Sequence, residues 1–200
     1  IDFSFKNNQI FKNLNLSINP GDKIGIIGET GSGKSTLINI ILGLLKPTKG
    51  SILIDDLIIE LKSNYRYIRG WQNLIAYVPQ NVTLHDISLL ENIAFGIELK
   101  KIDINKVKRV AKYANIEKLI KLKNNGLNTQ IGERGIEISG GEAQRIGIAR
   151  ALYKEPEILI LDESTSSLDV GTEKKVIESI FKYSKTLIIT SHRLSTLKEC

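Results

Sequence analysis

Methionine is absent from the 200-residue chain and cysteine occurs once, at the last position, Cys200. One cysteine excludes an internal disulfide, and a reducing compartment such as the cytoplasm suits it. No apolar run approaches the roughly 20 residues of a membrane-spanning helix. The longest, Leu37 to Leu45, is interrupted by Asn39, so nothing in this chain is expected to cross a membrane. No basic-then-apolar leader opens the sequence, which begins with the strand-like alternation Ile1-Asp2-Phe3-Ser4-Phe5 and lacks an initiator methionine. A piece of a longer polypeptide is the expectation. Internal repeats, low-complexity segments and Pro- or Gly/Ser-rich linkers are also missing, which predicts one domain over residues 1–200.

What is present is ordinary for a soluble globular domain: 42% hydrophobic and 25% charged residues. The formal net charge of +6 would attract nucleic acid or an anionic membrane if it were concentrated. The lysines are instead scattered among Asn and Ile. The densest cluster, Lys100, Lys101, Lys106, Lys108 and Arg109, has no interleaved aromatics to stack on bases, so no nucleic-acid partner is expected. A solvated helix face and a basic face beside a membrane both remain open.

Short β-branched runs at Lys23 to Ile27, Ile75 to Val78, Ile158 to Leu161 and Thr186 to Thr190 read as buried parallel strands. Apolar residues near i, i+3, i+4 spacing predict helices over Lys34 to Leu44, Ile104 to Ala114, Gly141 to Leu152 and Gly171 to Tyr183. The alternation predicts an α/β fold with a mostly parallel sheet. From Ser88 to Leu122 helix follows helix, which predicts a helical insertion. The division expected is a core lobe of residues 1–87 and 153–200, with a helical subdomain of about 88–152.

Behind the first of these strands stands Gly28-Glu29-Thr30-Gly31-Ser32-Gly33-Lys34-Ser35, followed by Thr36 and an apolar helix. This is the order strand, Gly-rich loop, helix that cradles phosphates on backbone N–H groups. The helix start adds partial positive charge, Lys34 adds a full charge at the outer phosphates, and the Ser35 hydroxyl is placed to ligate Mg²⁺. The loop alone predicts binding of a nucleoside triphosphate with magnesium. The strand Ile158 to Leu161 runs into Asp162-Glu163, two carboxylates where ligands of open α/β sheets sit. Asp162 is expected to face the magnesium, and Glu163 to orient or deprotonate the attacking water.

Ile138-Ser139-Gly140-Gly141-Glu142, before the helix that begins Ala143-Gln144-Arg145, resembles the Leu-Ser-Gly-Gly-Gln signature of the ABC ATPase superfamily, with Ile138 and Glu142 as the two departures. The resemblance spans the chain and implies a P-loop NTPase (RecA-like) core, an antiparallel N-terminal β part and a helical subdomain carrying the signature. It implies ATP hydrolysis at a head-to-tail dimer interface, where Ser139, Gly140, Gly141 and Glu142 of one domain close over the nucleotide of the other. By the same resemblance Gln80 meets the metal and the catalytic water, His192 contacts the γ-phosphate, and Asp169 lies at the dimer seam. Phe5 stands where exporters place an adenine-stacking ring, although the alternation of Ile1, Phe3 and Phe5 equally suits a buried strand face.

Thr129-Gln130-Ile131-Gly132-Glu133-Arg134-Gly135 resembles the segment of exporter ATPase domains that abuts the membrane part. The partners implied are a second such domain, as a homodimer, and transmembrane domains fused ahead of Ile1, at the cytoplasmic face of the membrane. Trp71, Tyr77-Val78-Pro79-Gln80 and Glu91 to Gly96 look like exporters of lipid-linked glycans, and many lipid, peptide and drug exporters share much of the same pattern. The rival reading is a soluble ABC-type ATPase acting on nucleic acid or ribosomes.

Overall fold

The computed structural model describes residues 1–6, 8–55, 57–58, 65–132, 137–193 and 200. The chain opens with an antiparallel pair, β1 (Phe3–Phe5) and β2 (Asn8–Phe11), then enters the central sheet at β3 (Lys23–Ile26). A two-residue pair, β4 (Leu53–Ile54) and β5 (Leu57–Ile58), follows the first helix. The central sheet is completed by β6 (Ile75–Val78), β7 (Ile158–Asp162) and β8 (Thr186–Thr190). Its order is β3-β8-β7-β6, and every pair is parallel. Parallel pairing has one functional result: the segments that leave β3, β6, β7 and β8 all emerge at the same edge.

Period-two alternation decides which helices cover which face. Leu159, Leu161, Leu187, Ile189, Ala76 and Val78 point into the larger core. That core is shared with α3 (Leu89–Ile93), α4 (Ile104–Tyr113), α5 (Glu117–Leu122), α6 (Gly140–Tyr153) and α7 (Val170–Tyr183). Ile75, Ile160 and Ile188 point the other way, onto Ile38 and Leu42 of α1 (Lys34–Ile41) and its flank. Ile160 and Ile188 face each other across neighbouring strands and are almost wholly buried, each contributing about 1.5–3 kcal/mol by burial.

The four predicted strands and four predicted helices are all present. The first helix ends earlier than the expected Leu44. Gly43 turns into the left-handed region at φ 70°, and the N–H groups of Leu44 and Leu45 fold back to Asn39 O at 2.8 and 3.1 Å. A helix that sequence reading passed over, α2 (Tyr65–Leu74), supplies the remaining cap: Trp71 Nε1 donates to Ile41 O at 2.7 Å and Gln72 Nε2 to Leu42 O at 3.1 Å. The expected helical insertion contains α3, α4 and α5. Their apolar faces share one continuous core with the sheet.

The Thr129 to Gly135 segment begins as an edge pairing: Leu89 N–H donates to Thr129 O at 2.9 Å and Ile131 N–H to Ile87 O at 3.2 Å. Gly132 has φ 105°, and a Cβ there would lie 2.0 Å from Asp86 Oδ1, so glycine is required. Glu133, Arg134 and Gly135 lie outside the described residues. Among the described residues no helix is long and apolar enough to cross a membrane.

Candidate nucleotide site

The loop from Gly28 to Ser35 leaves β3 and starts α1. Gly31 and Gly33 take φ values of 84° and 98°, and a Cβ on Gly28 would lie 2.4 Å from Ser32 Oγ. Side chains at these positions would break the curl that turns successive N–H groups inward. Gly33 is the N-cap of α1 and no side chain caps it, nor does the first turn hold an acidic residue. The donors and partial positive charge of that helix start therefore face the loop without a protein anion among them.

Lys34 is folded back on this loop, buried to 7% exposure, with Nζ donating to Gly28 O at 2.8 Å and Glu29 O at 3.0 Å. The same ammonium lies 3.3 Å from Glu163 Oε1. His192 Nε2 meets that oxygen at 2.6 Å and stands 3.5 Å from Lys34 Nζ. Three residues from the segments that follow three neighbouring strands, β3, β7 and β8, thus converge on one point. Glu163 reaches it through an unusual backbone: φ is 49°, a conformation rare for a residue with a Cβ and associated with about 1–3 kcal/mol of strain. The twist ends β7 and separates the Glu163 side chain from that of Asp162.

Asp162 is buried, and each of its oxygens has a hydroxyl donor. Thr190 Oγ1 donates to Oδ1 at 2.7 Å and Tyr77 OH to Oδ2 at 3.1 Å. Burial first, then the Asp162 charge and its hydrogen bond, push the Tyr77 hydroxyl up to about 12, so it remains a donor at neutral pH. Thr190 Oγ1 also accepts from Glu163 N–H at 3.0 Å, so one hydroxyl orients both acidic residues. Thr190→Val keeps the shape but strips a buried carboxylate of a donor; a loss of about 1–3 kcal/mol in unfolding free energy is expected in urea denaturation.

The signature begins α6. Ser139 is its N-cap, with Oγ accepting from Glu142 N–H at 3.3 Å, and Glu142 Oε2 accepts from Ser139 N–H and Oγ–H, both at 2.9 Å. This reciprocal cap explains the departure at position 142, since Glu serves as the N3 partner as Gln would. A Cβ on Gly141 would lie 3.0 Å from Ser167 O, so the signature is packed against the turn that follows Glu163. Asp169 caps α7 through Thr172 N–H at 3.0 Å, and hydrogen bonding first from the Thr172 side chain and then from its backbone N–H holds the carboxyl below the usual aspartate range.

Ser35 and Gln80 are exposed, and among the described residues the Gln80 side chain makes no hydrogen bond to Asp162, Glu163 or His192; its backbone carbonyl is held by Gln144. Phe5 is half exposed and touches Phe3 edge-on at 4.9 Å, which removes the reading of Phe5 as a core residue. The adjoining strand sits on the phosphate loop itself: a Cβ on Gly33 would come within 2.7 Å of Ile10 and 3.0 Å of Phe11. Phe11, Tyr77, Gln144 and Thr190 were not visible as site residues in the sequence. Tyr77 carried a signal, as the polar-ended member of an otherwise apolar strand; Thr190 carried one in its place two residues before His192.

A family model described as ABC transporter matches residues 11–166. The chain is 42% identical to a putative export ATP-binding/permease protein of Rickettsia felis, across 99% of this chain and 34% of that protein. It is 40% identical to ABC transporter B family member 14 of Arabidopsis thaliana, across 95% of this chain and 15% of that protein. Among solved structures it resembles a bacterial Atm1-family ABC exporter with ATP bound, with a TM-score of 0.88, 33% identity, and coverage of 98% of this chain and 34% of that one. The chain therefore spans 34% of the length of the Rickettsia protein and 15% of that of the Arabidopsis protein.

Proposed function

We propose, from the premise that the chain belongs to the ABC transporter family and is its ATP-binding and ATP-hydrolysing domain, that it powers export across a membrane as half of a head-to-tail ATPase dimer. The observation that carries this is the convergence of Lys34, Glu163 and His192 beside an uncapped helix start, in a chain similar throughout to export proteins with a permease part.

In this reading the N–H groups of Gly28 to Thr36 and the Lys34 ammonium hold the triphosphate, and the exposed face of Phe5 stacks on the adenine. Glu163 takes a proton from the attacking water, and His192 donates to the γ-phosphate. Ser35, Gln80 and Asp162 offer only oxygen ligands, a hard set that fits Mg²⁺. That ion, when bound, neutralises charge between the outer phosphates. Ser139, Gly140 and Gly141 present a second helix start to the nucleotide of the partner domain, with Asp169 at the seam. Glu142 contributes by holding Ser139 in its capping geometry. The functional division is a core lobe of residues 1–87 and 153–200 and a helical subdomain of about 88–152. The partners are a second copy of this domain and transmembrane domains in the same polypeptide, at the cytoplasmic face. Trp71 and the stretches around Gln80 and Glu91 favour a lipid-linked glycan as cargo.

A cross-link in the whole protein tests the arrangement. With other cysteines removed, Ser32→Cys and Ser139→Cys are expected to form an ATP-dependent disulfide between two copies in the membrane fraction. Recovery with ribosomes in place of membranes would overturn export; a cross-link indifferent to nucleotide would overturn the shared site.

A further inference from the structure

The feature left unexplained is a buried carboxamide. Gln144, in the second turn of α6, is 3% exposed, and its side chain bonds outside its own helix. Oε1 accepts from Ser167 N–H at 3.1 Å, while Nε2 donates to Gln80 O and to Ser166 Oγ, each at 3.3 Å. A buried amide must be satisfied somewhere. Here the partners all belong to segments that leave β6 and β7 at the site edge, the segments that carry Gln80 and Glu163. Ser167 is also the residue whose carbonyl lies against Gly141, three residues after the signature's start at Ile138.

The far side of the same turn is tied to the segment that carries His192. Arg193, next to His192, donates through Nη1 to Glu173 Oε2 at 2.6 Å and to Leu168 O at 3.3 Å, and through Nη2 to Ser166 O at 3.4 Å. Glu173 Oε1 accepts from Thr165 Oγ1 at 2.8 Å. The turn between Glu163 and Asp169 is therefore held from one side by Gln144 and from the other by Arg193 and Glu173. Its position fixes the position of Glu163.

We propose that Gln144 is a positioning residue for ATP hydrolysis: its carboxamide locks the signature helix, the Gln80 segment and the turn after Glu163 into one unit, so that Gln80 and Glu163 are presented together. This rests on the roles given above to Gln80 and Glu163. Among the described residues the Gln144 hydrogen bonds go to Gln80, Ser166 and Ser167 and none to the phosphate loop, so its removal is expected to spare nucleotide binding and to act on the chemical step. Misplacement of a reacting group by about 1 Å costs on the order of 10²-fold in rate.

Two variants of the whole protein test it, by steady-state phosphate release from Mg-ATP. Gln144→Met removes every hydrogen bond at similar size. Gln144→Glu keeps the acceptor for Ser167 N–H but sets a carboxylate against the Gln80 carbonyl; protonated, the new side chain donates to that carbonyl again. Burial raises the pKa of such a carboxyl. The expected result is a kcat lowered about tenfold or more in both, with the KM for ATP within twofold of the parent. Activity relative to the parent should recover in Gln144→Glu, but not in Gln144→Met, as the pH falls from about 8 to about 6. A loss that is the same at every pH in both variants and follows a lowered melting temperature would make Gln144 merely structural and overturn the proposal. Unchanged kcat in both, while Glu163→Gln abolishes hydrolysis, overturns this inference alone. Intact hydrolysis in Glu163→Gln overturns the catalytic reading and the inference with it.

Discussion

Glu163→Gln is expected to lower phosphate release by about 10²–10⁴-fold, the range a positioned general base supplies, while ATP still binds. The substitution changes one atom and keeps the shape of the side chain. An amide oxygen can still accept from His192 and face Lys34, so the resting arrangement at 2.6 and 3.3 Å has a neutral counterpart. The ability to take a proton from water is lost. Removing the carboxylate's charge also frees the Lys34 ammonium from its only acidic neighbour among the described ion pairs, which favours the phosphates as its partner. ATP affinity should therefore hold or rise as turnover falls. Equilibrium binding of ATP and single-turnover phosphate release measured on the same preparation check both halves. Turnover at the parent rate would mean that the base lies elsewhere.

The separation between binding and chemistry follows from how the site is built. The phosphate loop depends on local sequence: three glycines, a strand before and a helix after. All of this was legible because backbone conformation near a glycine is decided within a few residues. The acidic pair was legible for a similar reason, as the polar end of an apolar strand. The groups that hold those residues in place were hidden. Thr190 serves Asp162 from the next strand, 28 residues on, and Gln144 reaches Gln80 across 64. Such partners are set by strand order, and the order β3-β8-β7-β6 is not written in any short window. The helix α2 escaped notice because Gly70, a poor helix former, interrupts it and because it is fixed by two side-chain bonds to the end of α1. Phe5 shows the opposite failure. Its alternation with Phe3 was seen, but exposure, which separates stacking from burial, depends on what else covers the hairpin.

Lys34→Met carries the second large effect, and it tests whether the cluster was assembled for folding or for phosphate. The ammonium has two roles in the structure. It donates to Gly28 O and Glu29 O, which keeps the loop curled, and it offsets the charge of Glu163. Methionine preserves the length of the stem and abolishes both. A charge-assisted bond to a phosphate is worth about 1.5–3 kcal/mol, so ATP affinity should fall roughly 10- to 150-fold, read by equilibrium binding. Unfolding free energy should also fall, by about 1–3 kcal/mol, because Glu163 is left largely buried with His192 as its remaining partner in the cluster. The double variant Lys34→Met with Glu163→Gln separates the two losses. If the charge on Glu163 causes the instability, the double variant regains stability in urea denaturation and stays as weak for ATP as Lys34→Met alone. Equal instability in both would put the cost in the loop carbonyls. Restored ATP affinity in the double variant would mean that Lys34 only screens Glu163 and that the backbone N–H groups hold the phosphates unaided. The uncapped start of α1 makes that last outcome physically conceivable, but a full charge at the loop outweighs the roughly half charge of a helix terminus.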